Sequence, residues 1–164
     1  MYLVIDTTTE HATLLLIKEN KVINTINYDS LNDHTYSLYE NLRDIDLNLI
    51  KEVYVINGPG SFTGTRIGVL FAKTLAHEKQ IKLFSINKLE CFYYMYNKPV
   101  AFDARGNKYF MYDGKEYNLE ELKEGYLVDP ILDVDKFIGN NVLSKFEETN
   151  SLLLEVSYMK DVLW

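Results

Sequence analysis

Cysteine, histidine, proline and basic residues are all scarce in this chain of 164 residues, and most of these shortages close a class of function. The lone Cys91 rules out a disulfide within the chain and fits a reducing compartment, so a cytoplasmic location is expected. With no histidine near it in sequence, Cys91 reads as a packed hydrophobe rather than a nucleophile. The three histidines, His11, His34 and His77, stand at no metal-ligand spacing, and no metal is expected on this chain. No apolar run approaches about eighteen residues, and the N-terminus lacks a basic flank leading into an apolar core. Neither a membrane span nor a secretory leader is therefore expected. Lysine and arginine number 17 against 24 acidic residues, and they are scattered. A chain that grips a nucleic-acid backbone unaided usually carries a basic face. At a net charge of −7, direct nucleic-acid binding by this chain alone is not expected.

What the chain does have is hydrophobic patterning, with 47% apolar residues, enough for one domain or two small lobes. The stretch Val53 to Val69 organises it. A short β-branched run, Val53-Tyr54-Val55-Ile56, breaks at Gly58-Pro59-Gly60 and enters a segment with helical spacing. That order predicts a buried strand, a tight loop and a helix, with Ser61 or Thr63 as the helix cap. A glycine turn feeding a helix N-terminus can bind phosphate, because exposed N–H groups and the helix dipole favour anions. Neither common phosphate fingerprint fits: a P-loop fails at Thr65 and the dinucleotide pattern fails at Thr63. A structural turn is the competing reading.

The helix after the turn carries two stripes. Ile67, Leu70, Phe71 and Leu75 form an apolar one, expected to be buried. Gly64, Gly68, Ala72 and Ala76, each four residues apart, form a shallow furrow of small side chains. Glycine inside a helix costs about 1 kcal/mol relative to alanine, so the furrow implies a close contact. Packing against the chain's own sheet and docking of another protein's helix are both open at this point.

Upstream, Tyr2–Ile5, Ala12–Lys18 and Val22–Tyr28 are predicted strands, with Asp6-Thr7-Thr8-Thr9 at the first turn. Asp6, Thr7 and Thr8, with Gly60 and Ser61, are the candidate phosphate contacts; alternatively, Asp6 merely accepts hydrogen bonds from its own turn. Asp33 is a predicted N-cap for a helix from His34 to about Asp44, with Leu38, Leu42 and Ile45 on its inner face. His34, Tyr36 and Tyr39 lie on that helix; aromatic anchors beside a furrow of small residues suit a helix-on-helix interface. Downstream come a strand at Lys82–Ile86, a helix at Leu89–Met95 and a lobe boundary at Pro99, dividing the chain into residues 1–98 and 99–164. The second lobe opens with strands at Val100–Asp103, Tyr109–Tyr112 and Glu116–Asn118. Beyond these are expected an acidic helical piece from Leu119, strands at Tyr126–Val128, Lys136–Asn141 and Leu152–Val156, and a tail to Trp164 that folds back on the first lobe.

Gly58-Pro59-Gly60-Ser61-Phe62-Thr63-Gly64-Thr65-Arg66-Ile67-Gly68-Val69 resembles a signature segment of the bacterial TsaB/YeaZ family, which serves tRNA threonylcarbamoyladenosine (t6A) synthesis. Ile5–Glu10, His34-Thr35, Phe102–Arg105 with Tyr109, and more weakly Ser157–Lys160, follow in that family's order. The resemblance implies an α/β, actin-like (ASKHA, ribonuclease H-like) fold of two small lobes, the second truncated. It implies a non-catalytic subunit that binds and activates TsaD, works with TsaE, and pairs with itself when TsaD is absent. The surface implied for that pairing is the two helices carrying His34, Tyr36, Tyr39 and the row Gly64, Gly68, Ala72 and Ala76. ATP and a metal are implied only in the partner complex, with none held by this chain alone, and tRNA is reached only through the complex. Catalytic relatives build a metal site on His-x-x-x-His; here the residue four after His34 is Leu38. The alternative is a small kinase-like enzyme with Asp6 and Asp103 around Mg²⁺, or a metallopeptidase-like one, on the same superfold.

Overall fold

The computed structural model describes residues 1–30, 33–105 and 107–159. Its first sheet opens as an antiparallel meander of β1 (Tyr2–Asp6), β2 (His11–Lys18) and β3 (Lys21–Asp29). Helix α1 (His34–Leu42) and a single 3-10 turn at Leu47–Leu49 lead to β4 (Glu52–Ile56), which pairs parallel to β1. Helix α2 (Phe62–Lys79) returns the chain to β5 (Lys82–Ile86), parallel to β4. Helix α3 (Lys88–Tyr96) then crosses to a second sheet, β6 (Val100–Arg105), β7 (Lys108–Tyr112) and β8 (Tyr117–Glu120), all antiparallel. A short α4 (Val134–Gly139) precedes β9 (Glu147–Thr149), which pairs with β5 and gives the six-stranded order β3-β2-β1-β4-β5-β9.

The central strands β1, β2 and β4 are buried on both faces, so β1 and β4 are nearly continuous apolar runs. Side chains alternate between the faces with the strand period of two. Leu3, Ile5, Leu14, Val53, Val55 and Leu83 join a core under α1 and α2. Val4, Leu15, Ile17, Tyr54, Ile56 and Ile86 join a second core that continues through Phe92 and Met95 of α3 into Val100 and Phe102 of β6 and Phe137 of α4. That continuity makes the two sheets one packed body.

Several expectations about the second half are corrected. Lys136–Asn141 is not a strand: Val134–Gly139 is helical, capped by Asp133, whose carboxylate accepts from the Lys136 N–H at 3.1 Å and buries Phe137 inward. The acidic piece from Leu119 is not helical, since β8 runs to Glu120, and Tyr126–Val128 is not a strand: among the described residues its one bridge joins Leu127 to Ala101. Leu152–Val156 is not a strand, and the last one among the described residues is Glu147–Thr149, where Glu148 pairs with Lys82 at 2.9 Å. The sheets do not follow the division at residue 98 throughout, because β9 (Glu147–Thr149) pairs with β5 in the first sheet. The expected return of the tail is seen as far as Met159, with Lys160–Trp164 outside the described residues.

Candidate functional site

Helices α1 and α2 lie side by side on the outer face of the first sheet. Asp33 caps α1 as predicted, accepting from the Tyr36 N–H at 2.9 Å. Ser61 caps α2, accepting from the Gly64 N–H at 3.3 Å. Capping fixes where each helix starts and therefore which faces turn inward.

The furrow of small residues faces inward. Gly64, Gly68, Ala72 and Ala76 are all buried, Ala72 completely. A Cβ on Gly68 would overlap the Thr7 hydroxyl, and one on Gly64 would strike the Thr7 carbonyl and the His34 ring. These four positions are thus not a docking surface. They let α2 approach the end of β1 closely, and the Thr7 hydroxyl donates to the Gly64 carbonyl at 2.8 Å across that contact. His34 is spent in the same junction, with Nδ1 at 2.8 Å from the Ser30 hydroxyl.

With its small side chains against the sheet, α2 turns large ones outward. Leu70 is 65% exposed, Phe62 60%, and Ile67 and Phe71 are half-buried, while only Leu75 of the expected apolar stripe lies in the core. On α1, Leu38 and Leu42 point inward, and Tyr36 and Tyr39 are 61% and 62% exposed. Between the helices runs a groove of about 480 Å³ lined chiefly by Leu38, Tyr39, Leu42, Ile67, Leu70 and Phe71. Its wall is almost wholly apolar, with Arg43 at its edge held by Glu40 at 3.1 Å. With exposed apolar side chains on both of its walls, this groove is the candidate interaction site.

The end of α2 nearest the turn carries a second cluster. The Arg66 guanidinium stacks 3.6 Å above the Phe62 ring, and its Nε donates to the Tyr158 hydroxyl. Tyr158 reaches it because the C-terminal segment straps across this lobe. Lys73 Nζ donates to the Leu154 carbonyl at 2.8 Å, the Ser157 N–H donates to the Asn57 carbonyl at 2.7 Å, and Ser157 leaves no room for a Cβ on Gly58.

The proposed phosphate contacts form a closed junction instead of a cradle. Asp6, Thr7 and Thr8 are buried. The Ser61 N–H donates to the Thr8 carbonyl at 2.6 Å, and Gly60 is pressed against Thr8. Asp6 Oδ1 accepts from the Thr8 N–H at 3.0 Å and from the Thr8 hydroxyl at 2.6 Å, so the carboxylate closes its own turn. Asp103, the other candidate carboxylate, is exposed on the second sheet. Among the described residues no group of three His, Cys, Asp or Glu is placed to hold a metal ion.

Sequence reasoning missed Lys88. This first residue of α3 is 1% exposed; its Nζ donates to the Thr8 hydroxyl at 2.7 Å and sits about equally far from the rings of Phe92 and Phe102, at 5.2 and 5.1 Å. Burial pushes its pKa down, partly opposed by the charge of Asp6. The Thr8 hydroxyl therefore links a carboxylate to an ammonium. Burial likewise pushes the Cys91 thiol up, which suits a packed side chain.

Comparisons with known proteins bear on this arrangement. The family described as TsaD: tRNA N6-adenosine threonylcarbamoyltransferase matches residues 37–151. The tRNA threonylcarbamoyladenosine biosynthesis protein TsaB of Bacillus subtilis is 35% identical over 94 residues, 54% of this chain and 41% of that protein. The protein of the same name from Buchnera aphidicola is 29% identical over 93 residues, 53% of this chain and 44% of that one. These matches span less than half the length of either curated relative. Among solved structures, YeaZ from Pseudomonas aeruginosa superposes with a TM-score of 0.69 at 18% identity, covering 95% of this chain and 98% of that one. An uncharacterized protein with similarity to peptidase YEAZ, also from Pseudomonas aeruginosa, gives 0.74 at 16% identity, covering 96% and 98%. At such identities the likeness is one of fold, and that fold is the expected actin-like one. The chain belongs to the family described as TsaD: tRNA N6-adenosine threonylcarbamoyltransferase, and its relatives there are the TsaB/YeaZ proteins.

Proposed function

We propose that this chain is a non-catalytic subunit in t6A synthesis, which seats a TsaD-type catalytic subunit on the groove between α1 and α2. The observation that carries this reading is the groove itself: Tyr39 and Leu70 flank it, each more than half exposed, with Tyr36 nearby on α1. Burying a side chain such as Leu70 is worth about 1.5–3 kcal/mol, so several left in water are a standing incentive to associate. The names of the curated relatives supply the process, t6A biosynthesis. The role without catalysis is supported by Leu38 standing where a second imidazole is needed, and by Asp6 being committed to its own turn. A net charge of −7 favours tRNA being reached through the assembled complex, with TsaE, ATP and a metal belonging to that complex.

A t6A formation assay with the partner proteins and tRNA tests the reading. Omission of this chain is expected to abolish product, and adding it back to restore it. Product formed at full rate without it contradicts the proposal. Light scattering with and without the partner tests the accompanying expectation, that a homodimer using the same helices gives way to the heterodimer.

A further inference from the structure

Arg66 sits where the apolar face of α2 ends. Phe62, Arg66 and Leu70 are spaced four apart, all exposed, so the guanidinium lies one turn from the leucine that flanks the groove. Its surroundings hold it in one pose: Phe62 covers one face at 3.6 Å, and the Tyr158 hydroxyl accepts from Nε. Among the described residues no carboxylate pairs with it, unlike Arg43 at the C-cap of α1, which is held by Glu40. Helix α2 carries Arg66, Lys73 and Lys79 against Glu78 alone, a locally basic element in a protein of net charge −7. A planar guanidinium with its orientation already fixed has paid little further entropy to bind an oxyanion in a bidentate fork.

The geometry points to Arg66 as the charged anchor of the docking face, receiving an aspartate or glutamate carboxylate of the partner subunit, with Phe62 and Tyr158 as the residues that position it. This rests on the docking reading of the α1–α2 groove. A protein carboxylate is favoured over an RNA phosphate because the anchor continues an apolar face, and because the acidic chain offers no surrounding basic cluster for a polyanion. It also gives the C-terminal strap a part in recognition, since Tyr158 supplies the acceptor that orients the guanidinium.

Isothermal titration with the TsaD-type partner at two salt concentrations tests this, using Arg66→Ala, Arg66→Lys, Tyr158→Phe and Leu70→Asp, each first shown to melt like the parent. Arg66→Ala is expected to weaken binding about 30-fold and to flatten its salt dependence. Arg66→Lys is expected to recover little of that loss, because an ammonium cannot form the fork. Tyr158→Phe is expected to cost several-fold, about 3–10. Anisotropy of labelled tRNA with the isolated chain is expected to be the same for parent and Arg66→Ala. Partner binding unchanged in Arg66→Ala while Leu70→Asp abolishes it overturns the anchor and leaves the docking reading standing. A loss of tRNA binding instead of partner binding overturns the carboxylate assignment. If Leu70→Asp also binds normally, the docking reading itself fails, and the anchor with it.

Discussion

Lys88 shows how much one side chain can tie together. It joins the β1–β2 turn, through Thr8, to Phe102 of the second sheet, and does so as a buried cation whose counter-charge, Asp6, is one hydroxyl away. Removing one member of such a set leaves the other charged and dry, a loss of about 3–5 kcal/mol, whereas removing both can be nearly neutral. Lys88→Met is therefore expected to destabilise strongly, and Asp6→Asn/Lys88→Met to cost less than the sum of the single changes. Urea unfolding of the four proteins measures this; strict additivity contradicts the coupling. The pH dependence has a definite sign. The folded-state pKa of Lys88 lies below its unfolded value of about 10.4. Well below the folded value both states are protonated and the fold bears the burial penalty; between the two values the unfolded chain binds the proton that the native state has lost. Stability attributable to Lys88 accordingly rises with pH over that window. A half-buried tyrosine opposes it at high pH: Tyr28, pushed up to about 12 by partial burial, keeps its proton in the folded state, so the unfolded chain ionises first. The difference between the parent and Lys88→Met isolates the lysine contribution. None of this was legible in sequence, because a lysine after an asparagine cap looks like an ordinary first-turn residue, and only the packing of α3 under β6 buries it.

Among the elements, α2 is the instructive one. Its period, its cap at Ser61 and its two stripes are readable in the sequence, which leaves open what the small stripe meets; the burial of Gly64, Gly68, Ala72 and Ala76 decides for the chain's own sheet and against the docking surface that the resemblance implies. A row of glycine and alanine signals the closest approach on a helix, and the first surface available to a helix that follows a buried strand is its own sheet. Leu70 and Phe71 belong to the apolar stripe whose burial the sequence leads one to expect; volume alone excludes them from the gap beside Thr7. Gly68→Ala tests this directly. In an open helix face it gains about 1 kcal/mol from propensity, whereas here the methyl meets the Thr7 hydroxyl and overpacking of this kind costs about 1–3 kcal/mol. A lowered urea midpoint is expected, and a raised one contradicts the close contact. Ala72→Arg, on the same row, is expected to unfold the protein, since that side chain has no exposure at all. The meander, α1 and β4 were legible for simpler reasons: alternation of apolar residues in β2, the aspartate cap at Asp33 and an uninterrupted β-branched run. The second half was not, because short elements such as α4 and β9 carry too few residues to show a period.

At the scale of the molecule, the two sheets share one core through α3. Phe92 packs edge-on against Phe102 at 4.9 Å, and Tyr54 of the first sheet meets Phe146 at 5.5 Å just before β9 closes that sheet. A body built this way unfolds as a unit. Far-UV circular dichroism and tyrosine fluorescence are expected to give coincident urea transitions, and two separated transitions contradict a shared core. Leu154, from the C-terminal strap, lies in the other core, beneath α2. Leu154→Ala is expected to cost about 2–5 kcal/mol, although it lies far along the chain from the strands it supports. The strap thus stabilises the same helix whose outer face carries the groove.

Under the proposed function, partner recognition belongs to the outward face of α1 and α2. Isothermal titration of the TsaD-type partner with the parent chain, Leu70→Asp and Leu152→Asp measures it most directly. Leu152 is also exposed, at 72%, but lies in the turn after β9 and serves as a control for lost surface hydrophobicity. Leu70→Asp is expected to weaken binding by at least about 30-fold, a loss of about 2 kcal/mol, and Leu152→Asp to leave it within about two-fold. Equal affinity for the parent chain and Leu70→Asp contradicts the claim.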